Sequence, residues 1–558
     1  MKKSIRYLSC LLAMMLLVLS LSSCVLFGRM ARASGASEEV STEASQSVEP
    51  PAGKSAFGKE YTLSDGDEEA FLASLQMCLD LMESNASEAE IDACVENMED
   101  LFYHIATQAD LAYVLYCMEQ DSEEASENYL YSSEMQNDAY YSYMQMCQQV
   151  DASSYPYRDR FFADWSENDF LQMRLYTDEV SAINKKNDEI LVEYRALNPN
   201  AESFADEVCR LYLGTVQNNQ ALAEMFGFSD YASYAYEVVY ERDYSREEMT
   251  AMREYVQTYL VPLCEKAYET FFTAYEALGI LEQYQLSGLI YNDYDQVTSK
   301  PVESYFASLP ADMRVGMEQA LSTDRAVFTD SPDAYGGAFT GYFYDDSYPI
   351  CYFGPGYQSS FTVVHEAGHF YAALCEEGLD IDLDLAEVHS QGNEFLMLAY
   401  LKNSVSEKIY VALRAYMLYE NLVNIIISTL VDEFEEVIYT HAGDLDGSAE
   451  QMDGMMTEIC SRYGGEEFLK EYATDISAYW KFVVIESPVY YISYAVSGIS
   501  AMTLYSVAME DYSKALEIYR GLTKELETPE AFLGSLEQAG LTTPFEKEAY
   551  LAISALFK

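Results

Sequence analysis

Apolar residues recur every three or four positions along most of the chain after about residue 66. This spacing places them on one face of an α-helix, and it is clear over residues 71–79 and again over 111–118. Pro199, between two asparagines, interrupts the pattern, because proline keeps the preceding residue out of the helical conformation. The sequence therefore predicts a mainly α protein with an N-terminal helical domain over 60–200 and a second domain over 201–558.

Residues 335–353 show a different pattern from the rest of the chain. Gly336, Gly337 and Gly341 are interleaved with aromatic and branched residues, which is typical of short strands joined by tight turns. The segment therefore predicts a small hairpin or sheet, and an exposed edge of such a sheet can pair with an extended peptide. Ser359 and Ser360 follow a glycine-rich turn and are suitable caps for a further helix.

The N-terminus has the features of an export signal that is removed from the mature protein. Two lysines precede a short apolar run over residues 11–21, whereas a helix that spans a bilayer needs roughly 20 apolar residues. The run ends in Leu21-Ser22-Ser23-Cys24, which is similar to a bacterial lipobox. We therefore predict a lipoprotein signal peptide over 1–23 and a lipid anchor on Cys24; the alternative is an ordinary signal cleaved after Ala33.

Residues 24–59 are rich in Ser, Glu, Ala and Pro, a composition that predicts a flexible tether. A tether behind a lipid anchor would hold the folded protein at the extracellular face of a bacterial cell membrane. The whole chain has 93 acidic and 32 basic residues, and its net charge of −61 would repel phosphate backbones. We therefore exclude nucleic acid as a partner and read the acidity mainly as a contribution to solubility.

Nine cysteines remain when Cys10 in the signal and Cys24 at the predicted anchor are set aside. They are widely scattered and include no Cys-x-x-Cys pair, so a thiolate metal site is not expected. The odd number argues against a complete disulfide framework. We expect most of them to be small buried apolar side chains.

The motif His365-Glu366-Ala367-Gly368-His369 is the clearest chemical signal in the sequence. Two histidines four residues apart lie on one face of a helix, one turn apart, and can bind one Zn²⁺ ion together. Glu366 is rotated by about 100° from His365, which places its carboxylate beside the ion. It can there take a proton from zinc-bound water and pass it to a leaving amine. The motif predicts a zinc-dependent peptidase with one zinc ion per chain.

A catalytic zinc site needs three protein ligands and one open position for water. Glu387 precedes a run of apolar residues at helical spacing, so it could project from a neighbouring helix toward the ion. Other carboxylates nearby are rivals for this position, but they lie in what reads as a solvated loop. These rivals are Glu376, Glu377, Asp380, Asp382 and Asp384.

The motif at 365–369, together with the Ala-Glu-Val-His-Ser segment at 386–390, resembles the thimet oligopeptidase and oligoendopeptidase F family, and especially its Pz-peptidase-like bacterial members. The resemblance implies a large helical metallopeptidase with a deep central cleft and a small β-sheet next to the zinc-binding helix. It also implies that Glu387 is the third zinc ligand and that the substrates are short unfolded peptides. The interval between His369 and Glu387 is shorter than in the family, which implies a trimmed loop.

A second segment, residues 486–495, resembles a C-terminal family segment whose tyrosines hydrogen-bond the tetrahedral intermediate. The resemblance implies this role for Tyr490 or Tyr491. The family usually has a histidine shortly before these tyrosines, and the position here is Val483. Loss of a donor to the oxyanion can cost on the order of 10²-fold in rate. The alternative hypothesis is therefore a catalytically weakened or inactive peptide-binding lipoprotein of the same fold.

Three further histidines have weaker claims to a function. His389 either supports a zinc ligand or is packed in the core. His104 and His441 are predicted to be structural or surface residues.

Overall fold

The computed structural model describes residues 55–163, 165, 167–195, 197–199, 201–291, 299–376, 382–445, 447–464, 476–523 and 531–558. The predicted signal peptide, Cys24 and the predicted tether up to residue 54 lie outside these residues. Within the described residues the chain forms two compact units, one of residues 55–163 and 319–358 and one of 164–318 and 359–558. The domain limits at 60–200 and 201–558 remain a prediction.

The first unit combines a helical bundle with all the strands of the described residues. Its helices are α1 (Asp65–Glu83), α2 (Glu88–Met118), α3 (Glu123–Ala152) and α4 (Arg158–Phe161). Its strands are β1 (Ser55–Ala56), β2 (Lys59–Glu60), β3 (Ala326–Phe328), β4 (Ala338–Phe343) and β5 (Tyr348–Phe353).

Three of these strands form a mixed sheet in the order β3-β5-β4. The β4–β5 hairpin is antiparallel, with Phe339 opposite Tyr352, and β3 joins β5 in parallel, with Ala326 opposite Cys351. Aromatic side chains of the hairpin pack with Leu111 and neighbouring residues of α2 in one buried cluster. The hairpin predicted at 335–353 is confirmed, and β3 is a third strand that the sequence pattern did not indicate.

The second unit contains helices and loops, with no strand among its described residues. Its first helices are α5 (Glu167–Leu175), α6 (Asp178–Arg195), α7 (Phe204–Met225), α8 (Tyr231–Tyr234), α9 (Arg246–Tyr255), α10 (Val261–Glu276), α11 (Ile280–Ile290), α12 (Ser299–Ser308) and α13 (Ala311–Gln319). The later ones are α14 (Ser360–Glu376), α15 (Leu383–Leu401), α16 (Glu407–Thr440), α17 (Ala449–Arg462), α18 (Ile492–Glu510), α19 (Tyr512–Leu522), α20 (Phe532–Ala539) and α21 (Lys547–Ala555).

Short segments of other helical types link some of these elements. Single π-helical turns follow α8 over Ala235–Val239 and α9 over Val256–Leu260, and 3₁₀ turns occupy Ala442–Asp444 and Ile476–Phe482. Helix α18 packs against both α15 and α16, and these three helices are apolar on most sides, as expected of helices buried in a large core. The prediction of a mainly α protein with a small sheet is confirmed.

Helix α18 is the one helix within the described residues that is long and apolar enough to cross a membrane. Its most apolar stretch is 83% buried inside the protein, which is the behaviour of a core helix.

Candidate metal centre

The candidate site is built on two neighbouring helices, α14 and α15. The Ser359 hydroxyl accepts a hydrogen bond from the Thr362 N–H at 3.1 Å, so the predicted serine cap starts α14. Helix α15 is capped by Asp382, whose carboxylate accepts hydrogen bonds from two backbone N–H groups of its first turn at 2.9 and 3.1 Å. Both caps fix where the helices begin, and therefore which side chains face each other.

Gly368 allows the two helices to cross at very short range. A Cβ atom at this position would lie 2.5 Å from the backbone oxygen of His389 and 3.0 Å from the Cα of Ser390. Any other residue would collide with backbone atoms, which cannot move aside as a side-chain tip can. The glycine of the motif therefore holds α15 against the helical turn that carries both motif histidines.

The crossing brings His365, His369 and Glu387 together. One ligand atom from each lies within 4.8 Å of the others. The Glu387 Oε2 atom is 3.7 Å from the His365 Nε2 atom and 4.0 Å from the His369 Nε2 atom. The two imidazole nitrogens and the carboxylate thus surround one small space, as the sequence predicted.

The geometry of this cluster fits a zinc ion. Zinc bonds of about 2.0–2.1 Å in a tetrahedral arrangement place neighbouring ligand atoms roughly 3.4 Å apart. The two distances from Glu387 Oε2 to the imidazole nitrogens, 3.7 and 4.0 Å, are slightly longer than this spacing, so the ligands would draw inward around an ion. His369 Nε2 is buried and has no hydrogen-bond partner among the residues that the structure describes, which is costly for a polar atom unless it is a ligand. The donor set of two imidazoles and one carboxylate is also that of catalytic zinc sites.

Polar neighbours fix the orientation of the candidate ligands. His365 Nδ1 lies 2.7 Å from Glu394 Oε1, a contact that leaves Nε2 free to face the cluster. The Ser390 hydroxyl donates to Glu387 Oε2 at 3.0 Å. Glu394 was not singled out from the sequence, although it lies two helical turns after Glu387 and hence on the same face of α15.

The electrostatic environment of the cluster favours a cation. Burial alone would lower the pKa of His365, but the hydrogen bond and charge of Glu394, with the charges of Glu387 and Glu366, raise it to about 9. Burial lowers the pKa of His369 well below its usual value, and the charge of His365 acts in the same direction. Burial raises the pKa of Glu387. Three carboxylates beside two imidazoles therefore create a negative site suited to a positive ion.

Glu366 belongs to the same buried region of α14. Its side chain is only 4% exposed, and its charge acts on His365. Asn393 of α15 braces this helix by donating to the Val364 backbone oxygen at 2.7 Å, and Tyr305 of α12 in turn donates to Asn393 at 2.6 Å. The motif helix is thus held by the buried amide of Asn393, which Tyr305 in turn holds in place.

The predicted tyrosine segment precedes helix α18. Tyr490 and Tyr491 are both buried, and they follow Val489, whose φ of +64° lies in the left-handed region. A β-branched residue rarely adopts this conformation, because its Cβ atom crowds the backbone. The turn that presents the two tyrosines is therefore strained and needs outside support.

Buried side chains from distant parts of the chain supply this support. Glu435 of α16 accepts a hydrogen bond from the Val489 N–H at 2.9 Å, and Arg242 donates to the Val489 backbone oxygen at 3.0 Å. Tyr240 donates to the Pro488 backbone oxygen at 2.7 Å. Burial raises the pKa of Glu435 well above its usual value, which the Val489 hydrogen bond and the Arg242 charge oppose. We call Tyr240, Arg242 and Glu435 the clamp.

The clamp also contacts the helix of Glu387. Arg242 Nε lies 3.7 Å from the carboxylate of Asp384, which also accepts a hydrogen bond from Tyr244 at 2.7 Å. Arg242 donates as well to the Ser493 hydroxyl at 3.1 Å, in the first turn of α18. One buried guanidinium therefore joins the start of α15 to the start of α18.

Helices α15 and α18 run side by side in the same direction. Gln391 of α15 donates to Ser497 of α18 at 3.4 Å, and four residues later Phe395 packs its ring 5.2 Å from that of Tyr505. Glu387 lies one turn before Gln391 on α15. It is therefore at the same height along the helix pair as the first turn of α18. This register brings the turn with Tyr490 and Tyr491 to the same end of the helix pair as the cluster.

Several other predictions have clear outcomes in the structure. The interpretation of Asp384 as part of a solvated loop is wrong, since Asp384 is buried in α15, and Asp382 caps that helix. His389 is packed in the core with its Nε2 atom 2.8 Å from the Leu522 backbone oxygen. His104 is partly exposed and His441 is exposed, which agrees with their prediction as structural or surface residues.

Val483, where a histidine was expected from the resemblance, is a buried residue that follows the 3₁₀ turn Ile476–Phe482. The rival carboxylates Glu377 and Asp380 lie outside the described residues, and nothing is described of the Glu376 side chain. Among the described residues, Glu387 is the carboxylate that completes a three-residue cluster with the two motif histidines.

The fold is similar to those of solved oligoendopeptidase F and Pz peptidase structures. An X-ray structure assigned to oligoendopeptidase F matches with a TM-score of 0.70 and 17% identity, covering 90% of this chain and 98% of that chain. Pz peptidase A with an inhibitor matches with a TM-score of 0.66 and 16% identity, over 89% and 98% of the two chains. Oligoendopeptidase F from Enterococcus faecium matches with a TM-score of 0.56 and 13% identity, over 89% and 97%.

No protein-family model matches the sequence, and no curated protein matches it. The shared fold therefore rests on structure, and at these identities it shows the architecture alone. The chain has the fold of oligoendopeptidase F and Pz peptidase A, which confirms the resemblance. Within that fold it carries a His-His-Glu cluster at the crossing of α14 and α15.

Proposed function

We propose that this protein is a zinc-dependent oligoendopeptidase that hydrolyses short unfolded peptides. The observation that carries the proposal is the convergence of His365, His369 and Glu387 within 4.8 Å, next to the buried carboxylate of Glu366. Solved structures with this fold include Pz peptidase A with an inhibitor, which supports a peptide as the ligand. One zinc ion per chain would be held by the two Nε2 atoms and Glu387 Oε2.

A zinc ion held there would supply Lewis-acid chemistry, which polarises a peptide carbonyl and makes water acidic enough to attack near neutral pH. Glu366 acts as the general base that accepts the proton of the attacking water. It then acts as the general acid that delivers this proton to the nitrogen of the leaving amine. Burial favours this role, because a carboxylate removed from bulk water exchanges its proton with the substrate rather than with solvent.

The tyrosine turn supplies the second part of the proposed mechanism. Tyr490 or Tyr491 donates a hydrogen bond to the oxyanion that develops on the attacked carbonyl, a type of contact typically worth 10²–10³ in rate, an order-of-magnitude range. The clamp holds the backbone of this turn and so fixes where the phenol groups lie. Arg242, Glu435 and Tyr240 act in this proposal as positioning residues.

We also propose that the protein works at the extracellular face of a bacterial cell membrane, anchored by a lipid on Cys24. The support for this location is the sequence of residues 1–24 alone. Mass spectrometry of the N-terminal fragment of the cell-purified protein tests it. A diacylated Cys24 at the new N-terminus is expected, and an unmodified cysteine or cleavage after Ala33 would overturn the anchor.

The enzymatic proposal is tested by zinc content and by cleavage of a quenched fluorescent peptide, for the wild type and for Glu366→Gln. We expect about one zinc ion per chain in both proteins and loss of cleavage in the variant. Glu407→Gln, an exposed glutamate at the start of α16, is the matched control and should cleave at the wild-type rate. Absence of zinc from the wild type would contradict the proposal.

One observation favours a second candidate function. Val483 stands where the resemblance implies a catalytic histidine, so a peptide-binding protein with weakened or no catalysis is the alternative. This alternative predicts one bound zinc ion and measurable peptide affinity, with no turnover of a broad peptide library. If Val483→His then gains cleavage activity, the missing donor is the reason for the weak catalysis.

A further inference from the structure

Two cysteines of the first unit face each other across a helical hairpin. Cys78 lies in α1 and Cys94 in α2, and the two helices are joined by the tight turn at residues 84–87. Both side chains are buried, among the apolar residues by which α1 and α2 pack together. The fold thus presents two thiols to each other from neighbouring antiparallel helices.

The Sγ atoms of Cys78 and Cys94 lie 2.7 Å apart. Unbonded carbon atoms prefer a separation of about 3.5–4.0 Å, and sulfur is larger than carbon. Two separate thiols would therefore repel each other at this distance, whereas a covalent bond removes the repulsion. We propose that Cys78 and Cys94 form a disulfide in the mature protein.

The proposed bond closes a short loop around the α1–α2 turn. The two residues are 16 positions apart, and a cross-link restricts the unfolded chain over that interval. Burial raises the pKa of the Cys78 thiol, so the folded hairpin disfavours the reactive thiolate. The bond should accordingly form before the hairpin closes fully.

The reaction is an exchange with the disulfide of an external oxidant, either a protein dithiol oxidant or a small-molecule disulfide. The thiolate of one cysteine attacks a sulfur of the oxidant, which forms a mixed disulfide and releases one thiolate. The second cysteine then attacks the cysteine sulfur of the mixed disulfide and releases the other thiol of the oxidant. Two electrons and two protons pass to the oxidant, which leaves as two thiols. Compartments outside the cytoplasm maintain such oxidants.

The test is a count of thiols in the full chain after folding in a glutathione redox buffer. The protein is alkylated in denaturant without reductant and then digested. Fragments containing Cys78 and Cys94 should stay joined until a reductant is added, and neither cysteine should carry the alkyl label. Complete alkylation of both cysteines in the unreduced sample would overturn the proposal.

Three variants sharpen the result. The joined fragments should disappear in Cys78→Ser and in Cys94→Ser. They should persist in Cys147→Ser, which removes a buried cysteine of α3 that contacts Tyr143.

Reductant should lower the melting temperature of the wild type but leave that of the Cys78→Ser/Cys94→Ser double variant unchanged. Equal melting temperatures of the wild type with and without reductant would contradict a stabilising bond. None of these measurements depends on zinc or on peptidase activity.

Discussion

The two parts of the candidate site are held in place by different physical means. The His-His-Glu cluster depends on a close approach of two helix backbones at Gly368, with neighbouring polar groups that orient the ligands. The tyrosine turn depends on buried charged and phenolic side chains that hold a strained backbone. The cluster is formed within residues 365–394 of the chain. The tyrosine turn, in contrast, is held by residues from two distant parts of the chain, Tyr240 with Arg242 and Glu435.

This difference indicates which kind of substitution should disrupt each part of the site. Close packing of the two backbones tolerates no added atom at the crossing. The clamp contains the Arg242 guanidinium, which is 1% exposed and lies 4.5 Å from the ring centres of both Tyr236 and Tyr240. Such a charge is costly to bury unless all its partners are present. The left-handed conformation of Val489 adds a cost of roughly 1–2 kcal/mol.

The largest effect is expected from Gly368→Ala. The added Cβ atom would meet the His389 backbone oxygen at 2.5 Å, so the two helices must move apart. A displacement of about 1 Å at a catalytic centre can cost roughly 10²-fold. We therefore expect loss of stoichiometric zinc and at least about a 100-fold fall in kcat/KM, measured by metal analysis and peptide cleavage.

Gly454→Ala provides the control for this prediction, because Gly454 of α17 has open space where a Cβ atom would be placed. It should bind zinc normally and be more stable by about 1 kcal/mol, since alanine is the better helix former. Normal zinc content in Gly368→Ala would show that the crossing does not position the ligands.

The next effect in size is expected from Arg242→Met. The substitution leaves Asp384 and two backbone oxygens of the tyrosine turn buried without their cationic partner. Removal of one partner of a buried pair typically costs about 3–5 kcal/mol, so the urea midpoint should fall strongly. Zinc-loaded Arg242→Lys, which keeps the charge but not the planar fork, should fold and show a lower kcat with little change in KM.

Arg462→Met is the matched control for the clamp. Arg462 forms a surface ion pair with Glu433 at 2.7 Å, and such pairs contribute about 0–1 kcal/mol. Equal losses of stability in Arg242→Met and Arg462→Met would refute the clamp as a support of the turn.

A smaller effect is expected from Glu394→Gln, which removes the charged acceptor of the His365 Nδ1 hydrogen. Residues that orient metal-binding histidines typically contribute about 10–100-fold to metal affinity. Titration with a competing chelator should show a fall of this size, with the fold unchanged by circular dichroism. An unchanged zinc affinity would mean that His365 is oriented by packing alone.

The smallest effect concerns the strain at Val489. Val489→Ala and Val489→Gly both remove the buried side chain, but only glycine adopts a positive φ without strain. We expect the glycine variant to be more stable than the alanine variant by about 1 kcal/mol, measured by urea denaturation. At positions with a negative φ, an alanine variant is usually more stable than the corresponding glycine variant. If Val489→Ala is also more stable than Val489→Gly, the turn is not strained.

Much of this molecule was accessible to prediction because local rules govern it. The periodicity of apolar residues predicted the helices, and alternating glycines and aromatics predicted the β4–β5 hairpin. The spacing of His365 and His369 predicted two imidazoles on one helix face, since 3.6 residues per turn leave no other arrangement. Glu387 was reached through a family resemblance, and the structure brings it to the same place.

Other features had no local signal. Glu394 and the clamp act through contacts between residues distant in sequence, and so does the parallel pairing of β3 with β5. Asp384 was misread as solvated because an acidic residue near other acids is usually exposed, and only the approach of Arg242 and Tyr244 makes its burial possible.

By itself, then, the amino-acid sequence determined which segments are helical and which two imidazoles share a helix face, because these follow from the geometry of consecutive residues. Only the tertiary structure decided which carboxylate joins them and which buried charges hold the tyrosine turn. It also decided which two of the nine body cysteines meet. These outcomes depend on how closely distant helices approach, and that distance is set by the packing of the whole core.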